Sequence, residues 1–237
     1  MSVDVAVILK NRPQGRIRPE LDNLRRVLAE IGNPQLDFSS ILVVGTNGKG
    51  STAAMLEAVL RAHGLSTGLF TSPHLVRVEE RVRLNGAPVD ETVLEATIGR
   101  LDAFPDLTYF ETLTAAAFSI FSEARVEVAV LEAGMGGSWD ATRLAESSIA
   151  GLTNIGSDHA GWLGAEPAAV ARDKGRALAA ARSAVIGSGV EETVVADLGA
   201  PAARRAGSAV SCTVIGGGRV AVSWDGLKAT VSMPLSG

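Results

Sequence analysis

The sequence predicts an α/β fold with a mostly parallel sheet covered by helices on both faces, and three observations predict it. Short continuous apolar runs ("ILVV", "TGLF", "VEVAVLEA", "SIAGLTNI", "SAVIG") alternate with longer stretches of helical periodicity, the pattern of buried strands joined by crossover helices. The turn between the first such run and its helix is glycine-rich, "GTNGKGST" at residues 45–52. From about residue 208 the texture changes: "SAVSCTVIGGGRVAVSWDGLKATVSMPLSG" breaks into short β-like runs divided by Gly-Gly-Gly and Asp-Gly turns. A small antiparallel patch over about 208–237 is expected there.

Each element has its own justification. In "RPELDNLRRVLAEIGNP", Leu21, Leu24, Val27, Leu28 and Ile31 fall at helical intervals and Gly32 stops the run, so a short amphipathic helix is expected. "ILVV" is a buried strand. The stretch after the glycine turn is a helix ending at Gly64, and "TGLF" is a second strand leading into the loop "TSPHL", which completes a β-α-β unit. The unit recurs as "ETLTAAAFSIFSEA" (helix) with "VEVAVLEA" (strand), and as "EPAAVARDKGRALAAA" (helix) with "SAVIG" (strand). "SIAGLTNI" adds a strand between those pairs, and "EETVVADLGAPAARRAG" is expected to be a surface helix with a basic end.

Composition narrows the function classes. With 237 residues and a prior of about 150 residues per domain, one large domain spanning 1–237 is expected. Hydrophobic residues make up 46% and the mean hydropathy is +0.23, yet no apolar run approaches the roughly 18 residues that would span a membrane. The start "MSVDVAVILKNRPQGR" has no secretory-signal pattern, and Cys212 is the single cysteine, so a cytoplasmic protein without an internal disulfide is expected. A net charge of −4 gives no global attraction to nucleic acid. Lysine occurs only at Lys10, Lys49, Lys174 and Lys228.

The glycine turn is the first chemical candidate. A tight turn from a buried strand into a helix points backbone N–H groups and the positive helix end at one spot, where a phosphate is stabilised. Gly45, Thr46, Asn47, Gly48 and Gly50 would form the cradle, Lys49 would meet the β- and γ-phosphates, and Ser51 or Thr52 would offer a hydroxyl to Mg²⁺. The usual expression has Ser or Thr directly after the lysine, where this chain has Gly50, and a purely structural turn has the same shape. Glu132 ends the strand "VAVLE" and could reach a metal at that loop, or turn to solvent. His159 follows another strand, though a lone histidine is more often packed or at the surface. Lys174 by itself reads as a solvated helix lysine.

Taken together, "GNPQLDFSSILVVGTNGKGSTA", "FTSPHLVRVEERVRLNG", "LTYFETLTAAAF", "LEAGMGGSWDAT" and "SDHAGWLG" resemble the bacterial dihydrofolate synthase/folylpolyglutamate synthase family of the Mur ligase superfamily, in order from about residue 12 onward. The resemblance implies a P-loop NTPase-like Mur ligase central domain, with GTNGKGS as the family's variant of the phosphate loop. It implies ATP and two Mg²⁺ sites served by Ser51, Ser72, Glu132 and His159, with Lys174 carbamylated to act as a metal ligand. Lys49, Lys174 and His159 would be the catalytic set. Ser72, Pro73 and His74 would lie in a mobile loop beside the substrates, and Phe110, Asp140 and Ala141 would hold a pterin. The implied reaction is addition of L-glutamate to dihydropteroate or folate through an acyl phosphate, in a monomer whose partners are these small molecules, with neither nucleic acid nor membrane involved.

The sequence departs from the family at "GGSWDATR", where Ser138 and Trp139 replace an Arg-Leu pair and Arg143 an Asn, and around Lys174, where Asp173, Gly175 and Arg176 replace Glu, Ala and Gly. It also ends at Gly237, before the family's C-terminal domain, so weak or absent ligation by these residues alone is expected. Two alternatives stay open: a non-catalytic nucleotide- or partner-binding module, and a Mur-type ligase for another carboxylate.

Overall fold

The computed structural model describes residues 5–13, 21–156, 167–188, 190–199, 204–205, 210–216, 219–224 and 227–232. The chain opens with α1 (Val5–Asn11) and α2 (Asp22–Glu30), the latter burying Leu24, Val27 and Leu28 as its periodicity requires. β1 (Ser39–Val44) is the central strand, and its aliphatic run is buried because neighbours flank it on both sides. α3 (Lys49–Ala62) returns the chain to β2 (Thr67–Phe70), and β3 (Val82–Leu84) and β4 (Ala87–Pro88) add an antiparallel edge. α4 (Glu91–Arg100) and α5 (Tyr109–Glu123) lead to β5 (Val128–Glu132), then β6 (Ile149–Leu152), α6 (Pro167–Ala180) and β7 (Ser183–Ile186). α7 (Glu192–Val195) and β8 (Arg204–Arg205) complete the main sheet, while β9 (Val210–Gly216), β10 (Arg219–Trp224) and β11 (Leu227–Ser232) form a separate antiparallel sheet of three strands.

The strand order β4-β3-β2-β5-β1-β6-β7-β8 fixes where a ligand belongs. β5 lies between β1 and β2 on one side of the sheet, and β6 starts the other side, all in parallel register with β1. The chain therefore changes direction at β1, and open α/β sheets bind ligands at the carboxyl ends of strands at such a reversal. The segment after β1 is the glycine turn.

Helices cover both faces as expected. α3 packs Ala53 with Leu56 and Leu60 over Val43, Leu69 and Val130 on one face, and α5 dominates the other. α5 starts with a capping box: Thr108 Oγ1 accepts from Glu111 N at 3.3 Å, and Glu111 Oε2 accepts from Thr108 N at 2.8 Å. Its Phe118 and Phe121 meet Phe38 at ring-centroid separations of 6.1 and 5.8 Å.

The expected basic surface helix is a correction. Within "EETVVADLGAPAARRAG", α7 is a single turn followed by a short 3-10 turn ending at Gly199 (φ +62°), and Arg204–Arg205 form a strand parallel to β7. A left-handed glycine so soon after the helix start stops it from propagating. Three elements lie outside the expectation: α1, α4, and the β3–β4 hairpin, whose turn residues Asn85 (φ +49°) and Gly86 (φ +86°) have the paired positive φ of a type I′ turn.

Candidate active site

The glycine turn is fixed from one side by the segment after β6. Thr46 N donates to Asn154 O (3.1 Å), Asn47 N donates to Asn154 Oδ1 (2.8 Å), Thr153 Oγ1 donates to Asn47 O (2.7 Å), and Gly156 N donates to Thr46 Oγ1 (3.0 Å). Gly45 sits at φ +147°, and a Cβ there would lie 1.9 Å from Thr153 Oγ1, so only glycine fits. Gly48 (φ +77°) then turns the chain into α3, whose first-turn amides have no intrahelical acceptor; that of Gly50 meets the Glu132 carboxylate.

Two of the four lysines in the sequence bind carbonyls of this turn: Lys49 Nζ donates to Thr46 O at 3.0 Å, and Lys174 Nζ to Gly45 O at 3.0 Å. Lys174 is only 2% exposed, so the solvated-lysine expectation is corrected. The reason is topological: α6 packs against β6 and β7, β6 being the neighbour of β1, and Lys174 in its middle reaches the carbonyl at the start of the loop.

Glu132 likewise does not face solvent. It is 4% exposed, its Oε2 accepts from Ser72 N at 2.8 Å, and a Cβ on Gly50 would lie 3.2 Å from that same oxygen. This explains the departure from the usual loop expression, since a side chain after the lysine would crowd a carboxylate aimed at the start of the helix. Burial raises the Glu132 pKa above the ordinary carboxylate value, against the lowering effects of the Ser72 amide, Lys49 and the Gly50 amide, while Asp140 adds to the rise.

The other expected residues divide. His74 Nδ1 accepts from Arg81 Nε at 2.8 Å, and the Arg81 guanidinium lies 5.4 Å from the centre of the Tyr109 ring. Burial lowers the Arg81 pKa, with Tyr109 and Glu132 acting in the opposite direction. The Ser72–Pro73 peptide is cis, and Pro73 is exposed. Phe110 is half-buried, 5.7 Å from Phe70 centre to centre. Asp140 is buried, and its carboxylate already serves its own turn: Oδ1 accepts from Thr142 N (3.0 Å) and Thr142 Oγ1 (2.5 Å), and Oδ2 from Met135 N (2.9 Å). Its pKa is raised by burial, which outweighs those hydrogen bonds. Ala141, in the same turn, is also buried, Ser51 is exposed and Thr52 half-buried. His159 lies outside the described residues.

Sequence reasoning missed Arg81, Thr153 and Asn154. Arg81 carried a weak signal, a basic residue seven positions past His74, and Asn154 stood unassigned at the end of a strand. The described residues also enclose a cavity of about 800 Å³ between α2 and α6, lined by Arg25, Gln35, Leu42, Arg143 and Arg182 among others. None of the expected site residues lines it.

No group of three or more His, Cys, Asp or Glu side chains able to hold a metal exists among the described residues. A hard cation would still suit the site, because the desolvated Glu132 carboxylate gains from a positive partner, and Ser72, whose amide meets that carboxylate, and Ser51, next to Gly50, carry hydroxyls of the kind such a cation could take.

Comparison with known proteins agrees with this arrangement. A family model described as the Mur ligase middle domain matches residues 43–187. The dihydrofolate synthase/folylpolyglutamate synthase of Mycobacterium tuberculosis is 38% identical over 178 residues, 68% of this chain and 37% of that protein. E. coli FolC in complex with DHPP and ADP superposes with a TM-score of 0.81 at 31% identity, covering 97% of this chain and 56% of that one. The Yersinia pestis bifunctional folylpolyglutamate synthase/dihydrofolate synthase, complexed with AMPPNP and Mn ion, gives a TM-score of 0.80 at 30% identity, covering 94% and 56%. The chain thus spans little more than half of these structures and well under half of the curated relative. Because the matched model takes in the end of the central strand, the phosphate turn, Glu132 and Lys174, and well over half of all residues, the chain belongs to the Mur ligase family.

Proposed function

We propose that residues 1–237 act as one ATP-binding unit of a carboxylate–amine ligase that joins L-glutamate to dihydropteroate or a folate. The carrying observation is that Lys49 and Lys174 both hold carbonyls of one glycine turn while the buried Glu132 approaches the first turn of the following helix. Relatives of this chain have been solved with ADP and DHPP and with AMPPNP and Mn, ligands that such a site would suit.

In this reading the turn's amides and Lys49 hold the triphosphate, and Glu132 with the hydroxyls of Ser51 and Ser72 would hold Mg²⁺, with His159 on a second ion. A bound Mg²⁺ supplies charge neutralisation at the transferred phosphoryl group. The γ-phosphoryl group passes to the acceptor carboxylate, and the glutamate amine then displaces phosphate to form the amide. Phe110 and Ala141 would flank the pterin, with Asp140 beneath them, and His74, held by Arg81, would border the acceptor. The residues would operate as a cytoplasmic monomer.

Carbamylation of Lys174 belongs to the same proposal. Its amine now donates to Gly45 O, and a carbamate would turn that donor into an anion beside a carbonyl, an arrangement that needs a cation between them. Native mass spectrometry at raised bicarbonate, with and without Mg²⁺, should show the adduct in wild type and not in Lys174→Met.

Calorimetry with Mg²⁺ and AMPPNP tests the core of the reading. Binding with a Kd of roughly micromolar order is expected, a free energy of about −8 kcal/mol. No detectable heat would leave the turn a structural element. Binding with little glutamate addition is the expected outcome for these residues alone, and measurable addition in a ligase assay would exclude the non-catalytic module.

A further inference from the structure

Asp173 and Lys174 are adjacent in the middle of α6, 8% and 2% exposed. Asp173 Oδ2 accepts from Gly137 N at 2.7 Å, and Oδ1 accepts from Ser138 N at 3.3 Å and from Ser138 Oγ in a shorter bond. The carboxylate thereby ties the loop after β5 to α6. The backbones touch: a Cβ on Gly137 would lie 2.7 Å from both Asp173 O and Lys174 Cα. Ser138 is held from its other side by Arg143, whose guanidinium donates to Ser138 O.

Consecutive residues on a helix point about 100° apart, so fixing one side chain fixes the rotation of the helix and the aim of the next. With Asp173 bound to the Gly137–Ser138 amides, α6 cannot turn about its axis without breaking three hydrogen bonds to a buried carboxylate, a costly loss for an ionised acceptor. We propose that Asp173 is a positioning residue for Lys174: it locks the rotation of α6 so that the Lys174 amine meets the phosphate turn at Gly45 O. This rests on the nucleotide reading of the turn, and the residues that carry it, Ser138 and Arg143, are among those that set this chain apart from its family's sequence pattern.

A double-mutant cycle on Mg²⁺–AMPPNP affinity, with melting temperatures recorded alongside, tests it. Asp173→Asn keeps the size and places an amide against the Gly137 and Ser138 amides, while Ser138→Ala removes one bond and no charge. In the wild-type background the expected losses are about tenfold for Asp173→Asn and about threefold for Ser138→Ala; with Lys174→Met already present, both should shrink to within about twofold. Equal losses in the two backgrounds, or none in wild type, would overturn the proposal, because a residue that only supports the fold does not depend on Lys174. If Asp173→Asn does not fold, Ser138→Ala decides by the same criterion. Wild-type protein that binds no nucleotide would instead sink the reading of the turn itself, an outcome distinct from additivity.

Discussion

The face under α5 and the carboxyl ends of β1 and β5 are both buried, yet burial does opposite things in them. Under α5 the buried groups are mostly apolar, Leu113, Ala115, Ala116, Ala117, Phe118, Ile120 and Phe121 packed with Phe38 beside Thr112 and Thr114, and removing that apolar area from water favours the fold. At the strand ends the buried groups include Thr46, Glu132, Asp140, Asp173 and Lys174, whose desolvation opposes folding and is offset by hydrogen bonds to named amides and carbonyls. One region stabilises the protein; the other spends some of that stability to hold charge where water cannot screen it. Substitutions should therefore separate, with those under α5 changing stability and those at the strand ends changing binding.

The widest separation is expected for Phe121→Ala, which should cost about 3–5 kcal/mol in urea unfolding and leave the nucleotide affinity of the folded fraction unchanged. An affinity loss as large as the stability loss would break the distinction. Lys49→Met should do the converse, weakening Mg²⁺–AMPPNP binding tenfold or more, about 1.4 kcal/mol, with stability within about 0.5 kcal/mol of wild type.

Glu132→Gln sharpens the contrast through pH. The native carboxyl holds its proton more tightly than the unfolded one, so its contribution to stability is fully present below the ordinary carboxylate pKa and is lost as pH rises through the raised native value. Glutamine cannot ionise. Above that window the variant should melt no lower than wild type without ligand, and Mg²⁺ should no longer add stability in the presence of AMPPNP. In wild type, the Mg²⁺-dependent rise in melting temperature should grow with pH across the same window; a flat profile would remove Glu132 from the metal's neighbourhood.

Gly50→Ala should have the smallest effect on stability. Alanine improves helix propensity by up to about 1 kcal/mol, and crowding of Glu132 Oε2 at 3.2 Å offsets it. Affinity for Mg²⁺–AMPPNP should still fall a few-fold, by less than about 1 kcal/mol. Calorimetry showing no change would mean that the glycine is not there to admit the carboxylate.

Much of the fold was legible because its strands are continuous apolar runs and its helices periodic. The misses have local causes. α1, "VAVILKN", is short and rich in β-branched residues, whereas α4 carried a usable signal in the spacing of Leu94, Thr97 and Ile98 after Asp90. The Asn85-Gly86 pair announced a hairpin that went unread, and the Ala-rich run after Glu192 suggested a helix that Gly199 ends. In the candidate site, residue types were legible and environments were not. Whether Glu132 faced solvent or the helix start depended on a contact with Ser72, 60 positions away, and the burial of Lys174 on one with Gly45, 129 positions away. No window of sequence contains such pairs.

The ties between the glycine turn and the segment after β6 decide how an anion would be received. Thr46 and Asn47 are held by Asn154 and Thr153 through both main chain and side chain, so the receiving shape is already drawn before a guest arrives. Little ordering entropy then remains to be lost on association, and affinity is governed by how well a ligand matches a rigid outline. Amide hydrogens at Thr46, Asn47 and Gly156 should accordingly exchange slowly in the ligand-free protein and slow only slightly further when nucleotide is added.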